Sequence, residues 1–220
     1  MKRFAGFLLS TMLVLALAPV RGDATELRLG ILGGGNSTVY AGDTPPKSSF
    51  KSQRAHQIGG VVDVVLSPSV VLSAQALVMS KTPVIETKIE DDPEVKETTE
   101  INTEYFTVPV MVQYVFGEKT TRFYLTAGGE VSWLQSATLK PPEMPEEDIK
   151  DKMNSMDVTV NVGAGVRSKL GPLRWFVELR YSYGLVDLAE NTIVQGVDLV
   201  VWKSRSSQLF IGLTIPVLGS

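Results

Sequence analysis

The sequence predicts an all-β fold, an eight-stranded antiparallel up-and-down barrel, on the strength of three observations. Eight stretches alternate apolar and polar residues with a period of two, which is the side-chain period of a β-strand and not of a helix. The connections between these stretches are short and long in strict alternation. No cysteine is present, so strand pairing and burial must stabilise the fold without disulfides.

The clearest pattern lies in residues 157–184, DVTVNVGAGVRSKLGPLRWFVELRYSYG, which we interpret as a β-hairpin. Val158 begins a series of apolar residues on one face, whereas Asp157 begins a polar series on the other. Gly171 and the proline after it interrupt the pattern, because proline cannot donate to a strand ladder. The alternation resumes near Trp175. We assign this hairpin as the sixth and seventh strands.

The other six strands show the same alternation. They cover, in chain order, residues 26–34, 57–66, 70–81, 105–116, 122–134 and 207–217. Short turns fall near Ser67, Gly117 and Gly171, whereas the remaining connections are long and polar. One end of the barrel therefore carries turns and the other carries loops. Short periplasmic turns and long extracellular loops are typical of transmembrane barrels of the bacterial outer membrane.

Aromatic residues on the apolar face favour a transmembrane barrel over a soluble ligand-binding barrel. They lie near strand ends, 8 to 10 residues apart, which at the rise of a tilted strand matches the roughly 25 Å apolar band of a membrane barrel. Ordinary β-propensity and core packing would explain one such strand but not three in register. The predicted aromatic girdle residues are Phe106, Phe116, Phe123, Trp133, Trp175 and Tyr183.

The first 22 residues have the three-part layout of a secretory signal. Lys2 and Arg3 precede an apolar run over residues 4–18, and Pro19 precedes small residues. An uncleaved anchor is the alternative, but the run is shorter than the ~20 residues that a spanning helix needs. We therefore predict a signal peptide at residues 1–22 and one barrel domain at residues 23–220.

Charge and composition exclude several classes of function. Removal of the predicted signal leaves 18 basic and 24 acidic residues, a net charge of -6, so nucleic-acid binding has no electrostatic basis. The lack of cysteine excludes thiolate zinc sites and catalytic thiols. We expect no cofactor and no dedicated metal site.

Five stretches besides the export signal carry a family resemblance. They are YFTVPVMVQYVF at 105–116, FYLTAGGEV at 123–131, VNVGAGVR at 160–167, WFVELRYSYGL at 175–185 and QLFIGLTIPV at 208–217. The chain resembles the small outer-membrane β-barrel families, specifically the porin-like outer membrane protein beta-barrel domain type. This resemblance implies the outer membrane of a diderm (Gram-negative) bacterium, with its lipid, its lipopolysaccharide and the outer-membrane assembly machinery as partners. Members usually end on an aromatic residue, whereas this last strand ends near Val217.

The polar face of the predicted barrel collects charges of both signs. They are Arg28, Asp63, Lys81, Glu130, Arg167, Glu178 and Arg180. The interior of an eight-stranded barrel is just wide enough for side chains, and buried charges must pair to offset desolvation. We therefore expect a charged plug and a structural or surface-interaction protein. The alternative is a narrow porin-like channel for small solutes or ions.

A third hypothesis is a lipid-modifying enzyme of the outer membrane. Such enzymes use a histidine with a serine or carboxylate near the membrane surface. This chain has one histidine, His56, which the pattern places at the end of the first loop with no recognisable motif around it. We therefore do not expect an enzyme.

Two of the predicted outer loops are acidic. The second, residues 86–104, has eight acidic residues, and the third, residues 143–151, has five. We interpret both as solvated, mobile charged loops. A further hypothesis is that their carboxylates share divalent cations with lipopolysaccharide phosphates, because hard cations prefer oxygen ligands.

The fourth loop, NTIVQGVDLVVW at residues 191–202, is strand-like, with Gln195 and Gly196 as its turn. One interpretation extends strands seven and eight beyond the bilayer as an apolar hairpin, a candidate docking surface for another protein. The other folds the hairpin over the barrel mouth.

Overall fold

The structure is a computed structural model that describes residues 26–42, 48–88, 96–117, 120–142, 144–188, 192–194, 197–199 and 202–218. The predicted signal peptide at residues 1–22 lies outside these ranges. Twelve strands and one 3-10 helix (Lys150–Lys152) form within them. No described helix is long and apolar enough to cross a bilayer. The strands are β1 (Glu26–Gly42), β2 (Ser48–Ser67), β3 (Val70–Lys81), β4 (Pro83–Lys88), β5 (Lys96–Phe116), β6 (Thr121–Lys140), β7 (Glu147–Asp148), β8 (Met156–Leu170), β9 (Leu173–Gly184), β10 (Thr192–Val194), β11 (Val197–Leu199) and β12 (Trp202–Leu218).

Eight strands pair antiparallel in a ring. The order is β1, β2, β3, β5, β6, β8, β9 and β12, and β12 pairs back onto β1 from Leu27 to Gly42. Each of these strands therefore has a partner on both sides, which is how a barrel removes exposed edges. The predicted eight-stranded antiparallel barrel is confirmed.

Short connections lie at one end of the ring, the turn end, and long ones at the other, the loop end. Two turns depend on glycine, since Gly117 and Gly171 have φ angles of 98° and 61°, where a Cβ atom is unfavourable. The long hairpins of the loop end follow β1, β3, β6 and β9. This arrangement agrees with the alternation of connection lengths in the sequence.

Side chains alternate between the two faces of the barrel wall. On β3, Leu77 and Met79 are buried inside, whereas Val78 between them is 56% exposed on the outside. Ile31 and Ile58 are likewise outward and exposed. The outer wall is therefore an apolar belt suited to lipid.

The predicted girdle residues lie on this outer wall at two heights. Phe116 and Phe123 stack at the turn end with ring centroids 6.2 Å apart, and Trp175 lies at the same end, near the start of β9. Phe106 and Trp133 also stack, with ring centroids 6.2 Å apart, and this pair lies further toward the loop end.

Several strands extend further into the loop end than the alternation predicted. β1 continues to Gly42, β2 begins at Ser48, and β5 begins at Lys96. The prediction of a mobile loop at residues 86–104 is wrong for the described residues. There, β4 pairs with both β2 and β5. Backbone pairing maintains these strands where the side chains no longer alternate in polarity, so the pattern could not reveal them.

The other two predicted loops also contain ordered structure. In the third, β7 pairs with β6, and Ile149 and Met153 are buried in a cluster at the loop end. In the fourth, β10 pairs with β11 as a separate two-stranded sheet, so the predicted hairpin forms but does not extend β9 and β12. The predicted turn residues Gln195 and Gly196 lie outside the described residues.

Candidate functional site: the charged lumen

A buried ion pair occupies the loop-end half of the lumen. Lys81 Nζ on β3 donates to Asp157 Oδ2 on β8 at 3.0 Å, and both side chains are at most 1% exposed. Ser204 Oγ donates to the same carboxylate oxygen at 2.8 Å. The Lys81 ammonium also lies 4.7 Å from the centroid of the Tyr105 ring. Because β3 and β8 are three positions apart in the ring, this pair crosses the lumen.

A second network occupies the middle of the barrel. Arg180 Nη2 donates to Glu178 Oε1 at 2.6 Å, and Tyr124 donates its hydroxyl to Glu178 Oε2 at 2.9 Å. Arg180 Nη2 also donates to Gln75 Oε1 at 3.2 Å, and its guanidinium stacks 4.4 Å from the Phe210 ring centroid. Gln75 is on β3 and Arg180 on β9, which are four positions apart in a ring of eight. The two side chains therefore meet from opposite walls.

Glu130 is buried and held by polar neighbours rather than by a cation. Ser132 Oγ and Asn161 Nδ2 donate to its two carboxylate oxygens, each at 3.3 Å. Thr107 Oγ1 in turn donates a hydrogen bond to Ser132 Oγ at 2.9 Å.

Asp63, Arg28 and Arg167 lie nearer the turn end. Asp63 is paired in register with Arg28 on the neighbouring strand and is buried. Arg28 donates to Glu26 Oε2 at 2.8 Å. Arg167 donates to the side-chain carbonyl of Gln113 and lies 4.5 Å from the Tyr124 ring centroid. The seven charges predicted for the lumen are thus inward-facing, and their hydrogen bonds and ion pairs lie at different heights along the barrel.

Buried apolar clusters alternate with these polar groups. One lies in the middle of the barrel and consists of Leu32, Val61, Leu77, Met79, Phe176 and Phe210. A larger one lies at the loop end and includes Tyr40, Ile101, Leu139, Ile149 and Leu188. A third, which includes Val65 and Tyr124, lies toward the turn end.

Three charged partners in the lumen, Asp157, Glu26 and Arg174, were not among the predicted lumen charges. Asp157 holds Lys81 but is 76 residues away from it. Glu26 accepts hydrogen bonds from both Arg28 and Arg174. The alternation of side chains along each strand could have placed Asp157, Glu26 and Arg174 on the inner face. It could not have shown which inner side chains meet.

Arg28, Arg167 and Arg174 also line a turn-end cavity of about 690 Å³. This cavity, which we call the turn-end vestibule, is open to the space between the short turns. The other charged residues that line it, within the described part of the chain, are Glu26, Arg122 and Lys169.

His56 does not lie in a loop, as the sequence predicted, but on β2, exposed on the outer wall. It lines an outward groove of about 310 Å³ with Ser80, Glu104 and Ser136, among others. Ser136 Oγ donates to Glu104 Oε2 at 3.4 Å. The structure thus brings together a histidine, two serines and a carboxylate that lie far apart in the sequence.

No group of three or more potential metal ligands occurs among the described residues. Part of the acidic second loop, residues 89–95, lies outside them. The hypothesis of shared divalent cations therefore stays a prediction for that segment.

Comparison with known proteins agrees with this architecture. A family model described as "Outer membrane protein beta-barrel domain" matches residues 20–190, more than three quarters of the chain. Among curated protein sequences, none matches this chain significantly.

Solved structures of outer-membrane proteins are similar to this chain at low sequence identity. OprG from Pseudomonas aeruginosa is 12% identical with a TM-score of 0.50, over 90% of this chain and 99% of its own. AlkL, determined in lipid bilayers, is 10% identical with a TM-score of 0.50, over 90% and 94%. Neisserial surface protein A is 11% identical with a TM-score of 0.49, over 86% and 97%.

Proposed function

The chain belongs to the outer membrane protein beta-barrel domain family, and on that premise we propose that it is a structural or surface-interaction protein with a closed lumen. The family and its structural relatives place it in the Gram-negative outer membrane. A fold shared at low identity does not carry an activity, so the proposal rests on this chain's own lumen and outer surface.

The hydrogen bond between Gln75 and Arg180 carries this proposal. It joins side chains from opposite walls at 3.2 Å, so protein atoms span the barrel at that height. The apolar cluster around Phe176 and Phe210 fills space at the same level. A hydrated ion crossing this layer would have to displace a buried ion pair and close-packed rings, which is costly.

We expect purified protein in planar lipid bilayers to show no stable, reproducible single-channel steps. A porin reconstituted in the same way serves as the positive control. Replacing Glu130 with Ala changes an inward carboxylate, whereas Glu104→Ala changes an exposed outward one. Clear steps whose amplitude changes in Glu130→Ala but not in Glu104→Ala would overturn the closed lumen in favour of the narrow porin-like channel.

The loop end is the part of the molecule proposed to meet partners. It carries the β4–β5 hairpin and the separate β10–β11 sheet. The 191–202 hairpin stays our candidate docking segment for another protein, because two short paired strands offer a backbone edge. The outer wall meets outer-membrane lipid and lipopolysaccharide, and the assembly machinery inserts the barrel. No nucleic acid is proposed as a partner.

A lipid-modifying enzyme is the second candidate function, because of the residues that line the outward groove. It contains His56, Ser80 and Glu104 on the outer wall, just beyond the Phe106–Trp133 pair toward the loop end. However, Ser80 pairs with Glu104, so the β3 strand separates Glu104 from His56 on β2. Two strand spacings amount to about 10 Å, too far for the carboxylate to orient the imidazole by a hydrogen bond. We therefore favour the non-enzymatic function.

We expect no release of fatty acid when the protein is incubated with phospholipid vesicles or lipid A. Mass spectrometry of the extracted lipid measures this directly. Release that disappears in both His56→Ala and Ser80→Ala, but persists in Ser136→Ala on the far side of Glu104, would establish the enzyme instead.

A further inference from the structure

The turn-end vestibule has an unbalanced positive charge. Among the residues that the structure describes, its lining includes five basic residues and one acidic residue, Glu26. The basic residues are Arg28, Arg122, Arg167, Lys169 and Arg174. Asp63 lies one layer deeper beside Arg28 and offsets part of this excess. Deeper in the lumen, Lys81 and Arg180 each pair with a carboxylate, so the positive excess is local to the mouth.

The arginines of the vestibule are held in place by the barrel. Arg122 donates to the backbone carbonyls of Gly117 and Pro68, at 3.0 and 2.7 Å. Arg28 and Arg174 share the carboxylate of Glu26. Cations fixed by the scaffold lose little freedom when a ligand binds, which favours binding.

Donor capacity remains unused in this cavity. The Nε atoms of Arg28 and Arg167 are buried and have no hydrogen-bond acceptor among the described residues. Unsatisfied buried donors are costly, and charged ones particularly so. An oxyanion supplies several acceptor oxygens, and the planar guanidinium matches its geometry.

The position of the cavity indicates where a ligand comes from. The lining charges face into the ring, on the inner wall, whereas Phe116 and Phe123 face the lipid at the same end. Short turns of outer-membrane barrels lie in the periplasm. A solute dissolved in the periplasm can therefore enter along the barrel axis, whereas a lipid headgroup would have to leave its leaflet.

We propose that the turn-end vestibule binds a small, soluble, multivalent oxyanion of the phosphate-ester class from the periplasm. A cavity of about 690 Å³ accommodates such a solute. The layer formed by Tyr124 and the Glu178–Arg180 pair closes the vestibule from above. The site is thus a blind receptor pocket, a role that goes beyond the structural function.

The test is calorimetric titration of inorganic pyrophosphate into the full-length mature barrel in zwitterionic nanodiscs, without divalent cations. We expect saturable binding that weakens with rising salt concentration. The double variant Lys169→Gln/Arg174→Gln should bind at least tenfold more weakly, because it removes two rim cations while Arg28 still pairs with Glu26. Lys169→Gln alone should have a smaller effect.

The matched control removes the same charge elsewhere. Lys203→Gln/Arg205→Gln lowers the net charge equally on the outer wall at the loop end, where Arg205 stacks on Tyr183. Its affinity should equal that of the wild type, and gel mobility before and after heating verifies folding of each variant.

Three results would overturn the proposal. The first is the absence of saturable heat in the wild type, which means that the mouth holds only water. The second is an equal loss of affinity in the Lys203→Gln/Arg205→Gln control, which means that binding depends only on the net charge of the protein. The third is binding that phosphatidylglycerol nanodiscs abolish, which assigns the vestibule to lipid headgroups.

Discussion

Replacing Lys81 with Met should lower the free energy of unfolding by about 3–5 kcal/mol, the usual effect of leaving a buried charge without its partner. Asp157 would keep only its hydrogen bond from Ser204, in a position where its side chain is fully buried. Methionine occupies a volume close to that of lysine, so lost packing contributes little. The loss of stability should come from the buried Asp157 carboxylate, which no longer has a cationic partner.

Urea titration of the refolded barrel in detergent, followed by tryptophan fluorescence, measures this loss. Lys152→Met is the control, because Lys152 pairs with Glu147 at 2.6 Å but both side chains are about one third exposed. Exposed pairs contribute at most about 1 kcal/mol, so this variant should be nearly as stable as the wild type. The double variant Lys81→Met/Asp157→Leu should recover most of the stability. If Lys81→Met is no worse than Lys152→Met, the cross-lumen pair does not stabilise the barrel.

Replacing Gly212 with Val should destabilise the barrel by about 3 kcal/mol, the upper end of the usual range for overpacking. A Cβ atom at this position would lie 2.3 Å from Cζ of Phe176 and 2.9 Å from the backbone oxygen of Ile31. Phe176 is buried in the middle apolar cluster, so its ring has little room to move away. The glycine thus provides the space that the ring occupies.

A second substitution separates this steric conflict from a general intolerance of valine. In a double-mutant cycle, Gly212→Val should cost much less in a Phe176→Ala background than in the wild type. Gly60→Val is the matched control on the outer wall, where the nearest atom to a Cβ is an oxygen of Gly30 at 3.7 Å. It should be neutral or slightly stabilising, since valine favours strands and faces lipid there. Equal costs for Gly212→Val and Gly60→Val would contradict the argument.

The sequence predicted most of the barrel wall because its signal is local. Alternation over residues 157–184 and 70–81 marks both the strand and its inner face, since side chains alternate with a period of two. The same logic placed Glu178 and Arg180 inside. It failed at the loop end, where residues 96–104 are mostly polar and continue β5 without an apolar face to mark it.

The groups of polar and charged side chains were less accessible from the sequence than the barrel wall. His56 was assigned to the end of the first loop, one residue before the predicted strand at 57–66, yet β2 begins at Ser48 and includes it. The groove it lines combines residues from four strands, and no local spacing reports that combination. The turn-end vestibule was missed for the same reason, since its cations come from β1, β6, β8 and β9.

The sequence by itself determined the strand number, the alternation of turns and loops, the membrane-facing belt and the inward position of the charges. Only the tertiary structure decided that Lys81 meets Asp157, that Gln75 reaches Arg180, and that excess positive charge gathers at the turn end. The physical reason is that the period of a strand specifies which wall of the barrel a side chain faces. Which side chains meet across the lumen depends on ring closure and strand stagger, which set the height and angle of every residue around the axis.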